Sequence, residues 1–269
     1  DISGEGALVW IKSRTQTTAS HCLYDTERGA GDVIFSNSTS AEATDTSLLS
    51  AFSSSGFSLG TGAAVNQSGE DYCSWTFRKC PGFFDIVTYT GSGSVQNIAH
   101  NLGSAPGVIL VKSLSSNDFW AVYHTSLGAT KYMQLQDNGV AYDYAGIWND
   151  TSPTSTQFTI GTDGNVNTNN HNYVAYLFAH NDGSFGEDSD EAVIKCGSVT
   201  GDSNGDFTVN LGFEPQWVLT KWSDASGNWT IHDTMRGFGV TNRQELFANT
   251  SGAEVTQNNT NLTITSTGF

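Results

Sequence analysis

The sequence predicts an all-β chain of tandem sandwich-like modules, and three observations carry that prediction. Apolar runs of about four to eight residues, rich in Val, Ile, Trp and Tyr, are bounded by Gly, Asn and Ser. No segment sustains the 3.6-residue periodicity of a long amphipathic helix. Several strings recur along the chain at a spacing of about 105 residues.

The elements follow in order. Leu8-Val-Trp-Ile-Lys-Ser-Arg14 is matched by Val108-Ile-Leu-Val-Lys112 and by Trp217-Val-Leu-Thr-Lys221. Short continuous apolar runs of this kind suit strands buried on both faces. About a dozen residues later come Leu23-Tyr-Asp-Thr26, Val122-Tyr-His-Thr125 and Ile231-His-Asp-Thr234. The first and third of these continue to Arg28-Gly29 and Arg236-Gly237. Phe57 and Gly60 are matched by Phe158 and Gly161, and Gly56-Phe57 also by Gly268-Phe269. Asn66, Tyr72, Trp75 and Phe77 are matched by Asn167, Tyr173, Tyr176 and Phe178, each 101 residues on. Asn101-Leu-Gly103 with Pro106 returns as Asn210-Leu-Gly212 with Pro215, and Thr90-Gly91 as Thr200-Gly201.

Residues 207–211 and 262–266 alternate apolar with polar, the pattern of half-buried antiparallel strands. Asn138-Gly139, Gly164-Asn165 and Asn204-Gly205 read as hairpin turns. Only 44–52 and 242–249 read as short helices. The modules are therefore 1–82, with its opening segment missing, 83–191, which is complete, and 192–269, which lacks its closing strands. This register predicts a natural chain that begins before Asp1 and continues past Phe269.

Composition excludes several functions. The 269 residues carry 11 Lys and Arg against 27 Asp and Glu, a net charge of -16, and only 14% are charged. Phosphate neutralisation needs clustered basic residues, so nucleic acid is not an expected partner. No apolar run approaches the roughly 20 residues of a membrane-spanning helix, so no insertion is expected. Polarity comes instead from 83 Ser, Thr and Asn residues. Aromatics make up 12% of the chain and include 7 Trp, enough apolar surface to offset chain entropy. Cys22, Cys73, Cys80 and Cys196 match no zinc spacing and read as reduced thiols, Cys73 and Cys80 being the nearest pair.

Candidate chemistry is sparse. Neither a G-x-S-x-G elbow nor a phosphate-binding loop is present. His232-Asp233 has the composition of an acid–base pair, but neighbours on a strand point to opposite faces. The slot holds Asp25, His124 or Asp233 in different modules, which fits a hydrogen-bonding turn better than a shared mechanism. The acidic run 182–191, with Asp182, Glu187, Asp188 and Asp190, is read as a solvated loop, with a calcium site as the sharper alternative. Asp202-x-Asn204-x-Asp206 imitates a calcium loop, but Phe207 stands where that motif needs glycine. Lys12, Lys112 and Lys221 each sit in an apolar strand and are expected to meet an acidic partner. Most tryptophans read as core. Tyr142, Tyr144 and Trp148, in a Gly- and Asn-rich excursion, are the candidate ligand contacts.

These strings, together with Trp75-Thr-Phe-Arg-Lys79 followed by Phe83-Phe-Asp-Ile-Val-Thr-Tyr-Thr-Gly91 and Tyr173-Val-Ala-Tyr-Leu-Phe-Ala-His180, resemble a repeat domain of tailed-bacteriophage virion proteins of the marine and cyanophage type. The resemblance covers essentially the whole chain and supplies no catalytic residues. It implies a non-enzymatic virion surface protein, a tail-fibre or appendage component made in the host cytoplasm and contributing to host attachment. It further implies assembly as a homo-oligomer, a trimer by analogy with fibres, with other virion proteins and a host-surface glycan or receptor as partners. The alternatives are a purely structural capsid-decorating or tail-assembly protein and a glycan-depolymerising tailspike.

Overall fold

The computed structural model describes residues 1–239, 242–258 and 262–269. The chain is all-β, with strands gathered into three large and two small sheets. The first unit comprises β1 (Ala7–Ser13), β2 (Cys22–Asp25), β3 (Asp32–Phe35), β4 (Ala43–Thr44), β5 (Leu49–Ser53), β6 (Gly56–Leu59) and β7 (Tyr72–Arg78). Its large sheet runs β4-β3-β2-β1-β7, and β5 pairs with β6. The second comprises β8 (Phe84–Thr90), β9 (Gln96–Ala99), β10 (Pro106–Ser113), β11 (Ala121–His124), β12 (Lys131–Gln134), β13 (Tyr142–Asp143), β14 (Gln157–Ile160) and β15 (Asn172–Ala179). Its order is β13-β12-β11-β10-β15-β8, with β9 paired to β14. The third comprises β16 (Trp217–Thr220), β17 (Thr230–Asp233), β18 (Arg243–Phe247) and β19 (Val255–Gln257), in sequence order. All these pairings are antiparallel.

The central strands correspond position by position. Trp10 lies opposite Leu23 on one side and Trp75 on the other. Leu110 lies opposite Val122 and Tyr176, and Leu219 opposite Ile231. Strand β1 is buried along its whole length because both of its faces are covered. Leu8 and Trp10 face a core shared by all three sheets, where Leu110, Trp120, Trp229 and Ile231 also lie. Val9 and Ile11 face the other way, onto Tyr24, Leu49 and Val65. The second sheet has its own outer core of Ile109, Val111, Tyr123, Phe158 and Val166. Each fully buried Val, Leu, Ile or Phe contributes roughly 1.5–3 kcal/mol, so burial on two faces makes the central strands the most strongly fixed elements.

Three backbone bonds close the sheets into a ring. Glu42 N donates to Leu114 O at 3.2 Å, Ala141 N to Ser223 O at 2.9 Å and Glu254 N to Arg14 O at 2.8 Å. Indole groups follow the same circuit: Trp120 Nε1 donates to Phe35 O and Trp229 Nε1 to Gln134 O, both at 2.9 Å. In the first unit His21 occupies the position of these indoles, accepts from Trp10 Nε1 at 2.9 Å, and has the backbone of Phe247 beside its ring.

Some local expectations fail. Segment 44–52 holds the end of β4 and most of β5, and 242–249 holds β18, so neither is helical. Strand pairing overrides weak helix propensity in both. Gly164-Asn165 is no hairpin turn but opens α4 (Gly164–Asn167), the fourth single-turn helix after α1 (Ile2–Glu5), α2 (Ala63–Asn66) and α3 (Ala145–Trp148). The Asp163 side chain caps α4 by accepting from Asn165 N at 2.8 Å. Segments 207–211 and 262–266 form no regular strands. The first instead meets the three residues after the second, Val209 and Phe269 exchanging amide-to-carbonyl bonds of 2.7 and 3.1 Å, while Phe207 is left exposed. All four cysteines are free thiols.

Candidate functional site

The first two candidate tyrosines stand on the outer edge of the second sheet. Register brings Tyr142 opposite Tyr132 and Asp143 opposite Lys131. The Phe119 and Tyr132 rings stack with centroids 5.4 Å apart, and Tyr142 continues the ladder, again 5.4 Å from Tyr132. Tyr142 and Tyr144 are 38% and 48% exposed. Tyr144 is tied down by its amide, which donates to Thr130 O at 3.1 Å, and its ring lies over Gly146. A Cβ at Gly146 would fall 2.4 Å from the Tyr144 ring, so a side chain there would displace it. Burial raises the pKa of the Tyr132 phenol, and Asp163, Tyr142 and Tyr144 lie close enough to add to that rise. The result is an aromatic face with the Asp163 carboxylate beside it, while Asp143, next to Tyr142 on β13, alternates to the opposite side of the strand.

Trp148 does not belong to this face. It is 1% exposed, sits in the outer core of the second unit and packs edge-on against Tyr123 at 5.9 Å. The α3 turn that begins after Tyr144 points it inward. Phe119 and Tyr132, which complete the ladder, escape sequence reasoning because only strand register joins them to Tyr142. The first sheet has Val33 and Ala43 at the corresponding register, so the aromatic face is particular to the second unit.

The recurrent Asp and His slot builds unit interfaces. Asp25 accepts from the amides of Glu27 and Arg28 at 3.0 and 2.9 Å, capping its turn. Its Oδ2 receives Arg28 Nε at 2.5 Å and the hydroxyl of Tyr176, from the second unit, at 2.7 Å. Arg28 also donates to Glu42 Oε1 at 2.9 Å and to the carbonyls of Leu23 and Asp32 at 3.0 and 3.1 Å. Asp233 and Arg236 repeat the arrangement: Arg236 Nε reaches Asp233 Oδ2 at 2.6 Å and its Nη1 reaches Glu254 at 3.0 Å. Here Trp75 Nε1, from the first unit, donates to Asp233 Oδ2 at 3.0 Å, and Arg14 Nη2 reaches Glu254 at 2.7 Å. His232 points away from Asp233's partners and stacks on Phe238 at 5.4 Å. Burial first, then Arg243 and Arg236, lower its pKa to about 4. The pair is divided between a core ring and an interface, which suits structure rather than proton transfer.

The three strand lysines, of which Lys12 and Lys112 are buried, meet carbonyls instead of the expected acids. Lys12 Nζ donates to Ser13 O at 2.6 Å, Lys112 Nζ to Ser113 O and Thr39 O at 2.9 and 3.1 Å, and Lys221 Nζ to Trp222 O at 2.8 Å. A strand end turning back over the ammonium supplies these oxygens. Burial lowers both Lys12 and Lys112 to about 8.

The acidic run 182–191 is a mostly exposed loop, as the first of its two readings expects. Residues 182–191 close on a bridge between Phe185 and Glu191, and Asp182 Oδ1 accepts from Ser184 N at 3.0 Å. Asp202 likewise caps its own turn, accepting from Asn204 N at 2.8 Å and Asp206 N at 3.0 Å. Among the described residues, no three His, Cys, Asp or Glu side chains converge as a metal site would require. No described helix is long and apolar enough to cross a membrane.

No curated protein and no solved structure matches the chain. One family model spans all three units, matching residues 2–269 under the description Domain of unknown function (DUF7483), and the chain belongs to that family.

Proposed function

We propose that the three units are copies of one module and that the chain is a non-enzymatic part of a bacteriophage virion appendage, contributing to host attachment by holding a surface glycan on the Tyr142 and Tyr144 face. The observation that carries the binding reading is the exposure of Tyr142 and Tyr144, Tyr142 being backed by the Phe119–Tyr132 stack with Asp163 beside it. Sugar rings stack on aromatic faces, and carboxylates accept from their hydroxyls. The virion assignment, and with it a homotrimeric assembly, rests on the sequence resemblance. A surface rich in hydroxyls and amides supports an extracellular adhesive role.

The test is titration of the purified chain with host envelope polysaccharide, read by calorimetry and by oligosaccharide release. Binding without release is the expected result. Tyr142→Ala and Tyr144→Ala should weaken it at least about tenfold, or roughly 1.4 kcal/mol, with unfolding midpoints unchanged. Trp148→Ala should instead cost about 3–5 kcal/mol of stability. Released oligosaccharide would establish a depolymerase. Absence of binding, with antibody against the chain still labelling intact particles, would establish the decorating role.

A further inference from the structure

The sheets differ at one edge. Strand β1 lies between β2 and β7, and β10 lies between β11 and β15, but among the described residues β16 pairs with β17 alone. Thr234 N donates to Gln216 O, so the alternation of an antiparallel ladder turns the N–H and C=O groups of Trp217 and Leu219 to the opposite, open side. The corresponding groups of Leu8 and Trp10 bond to β7. Burial records the difference: β1 is buried throughout, whereas all four residues of β16 are only partly buried. The buried Trp217 Nε1 has no hydrogen-bond partner among the described residues.

A second stretch of the third unit also lacks the form of its counterpart. In the second sheet β8 flanks β15. Its counterpart by sequence, the stretch ending at Thr200-Gly201, forms no strand and leaves Val193 and Val199 each 46% exposed. A cleft of about 600 Å3 lined by Lys195, Asn210, Leu211 and Phe213 opens beside it. Exposed apolar side chains and a row of unpaired backbone groups on one strand are the two components of a strand-addition site.

We infer that the open side of β16 is a seat for an extended polypeptide strand supplied from outside the 269 residues, added antiparallel and carrying Tyr opposite Leu219 and Phe opposite Trp217. The two filled seats set that pattern. Trp75 and Phe77 lie opposite Trp10 and Leu8, and Tyr176 and Phe178 opposite Leu110 and Val108. Tyr176 and Trp75 each reach across to the Asp slot of another unit. At the third seat that slot belongs to the second unit and holds His124, whose Nδ1 accepts from Ser126 N at 3.1 Å. Its Nε2 is then the protonated nitrogen and needs an acceptor. A tyrosine hydroxyl can accept and an indole N–H cannot, so the seat selects Tyr. This inference stands on the strand pairings and is independent of the virion reading.

The test uses the 269-residue chain and a blocked synthetic peptide with the sequence of residues 170–181, which carries Tyr176 and Phe178. Fluorescence anisotropy should show saturable binding. Hydrogen exchange at the amides of Trp217 and Leu219 should slow about tenfold or more on saturation. A scrambled peptide, and one N-methylated at alternate amides on the edge facing β16, should not bind. Replacing the tyrosine corresponding to Tyr176 with Trp should weaken binding several-fold, by roughly 1 kcal/mol. The inference is overturned by absence of binding, by equal binding of the scrambled peptide, or by protection at the outer edge of β7 instead. Concentration-dependent protection of β16 without peptide would also overturn it, since the occupant would then be a second copy.

Discussion

Replacing Arg28 with Leu tests whether the charged seams hold the units together. The Arg28 and Asp25 side chains are 2% and 0% exposed. Removing the guanidinium leaves the Asp25 carboxylate with two backbone amides and the Tyr176 hydroxyl, but no positive charge within bonding distance. The orphaned Glu42, 24% exposed, can turn to water. Breaking a buried pair from one side costs about 3–5 kcal/mol. A domain of ordinary stability holds roughly 5–15 kcal/mol in all, so Arg28→Leu should remove about a fifth of it or more.

The second unit supplies the control. At the slots of Asp25 and Arg28 it carries His124 and Leu127, and its turn stays capped because His124 Nδ1 accepts from Ser126 N. The double variant Asp25→His/Arg28→Leu transplants that neutral solution. It should regain at least about 2 kcal/mol over Arg28→Leu, because no uncompensated charge remains buried. Urea unfolding followed by tryptophan fluorescence reads this seam, since Trp120 stacks on Tyr176 at 6.2 Å. A single-variant cost below about 1 kcal/mol, or a double variant no more stable than the single, would refute the reasoning.

Two further outcomes concern pH. Burial lowers Lys12 to about 8, so between that value and its ordinary 10.5 the unfolded chain binds more protons and stability rises with pH. Raised thiol pKa values act oppositely above pH 9, so the measurement is wild-type stability minus that of Lys12→Met, a signed difference that should rise from about pH 7.5 to about 9.5 and is contradicted if flat. His232 is lowered from 6.5 to about 4, so the stability tied to its neutral form is lost as pH falls through that window; His232→Phe, which keeps the stack on Phe238, should flatten the acid limb of a melting-temperature profile.

The all-β class was legible because the central strands are buried on both faces. That condition forces Leu8–Ile11 and Val108–Val111 to be continuously apolar, a signal needing no knowledge of partners. Contacts around the ring leave no such mark. Nothing near Trp229 in the sequence indicates that its indole meets Gln134, because a backbone acceptor has no residue identity. The same applies to the lysines: carbonyls at strand ends satisfy Lys12 and Lys112, and a search for acidic partners cannot find them. At the aromatic face Tyr142 and Tyr144 were recognisable from an unusual excursion. Trp148 was misplaced because four residues of helix turned it toward Tyr123. The arginines of the two seams were visible in the recurring Asp-x-x-Arg-Gly of 25–29 and 233–237, though their role required the tertiary structure.

The backbone bonds of the ring are alike at all three seams, so they cannot determine which unit follows which. Side chains do distinguish the seams. The first-to-second contact is charged and closed by a tyrosine hydroxyl, and the third-to-first is charged and closed by an indole. The second-to-third contact has His124 and Leu127 instead of an acid and an arginine. A buried ion pair is no more stabilising than a well-packed apolar replacement, so these charges are better understood through mismatches. A unit docked at the wrong seam would part Arg14 from Glu254, leave Asp25 or Asp233 without the hydroxyl or indole that closes it, or leave an indole or hydroxyl facing Leu127. Each buried polar group left without its partner costs about 1–3 kcal/mol. The seams therefore encode the order of the ring, and the uniform backbone pairings provide its cohesion.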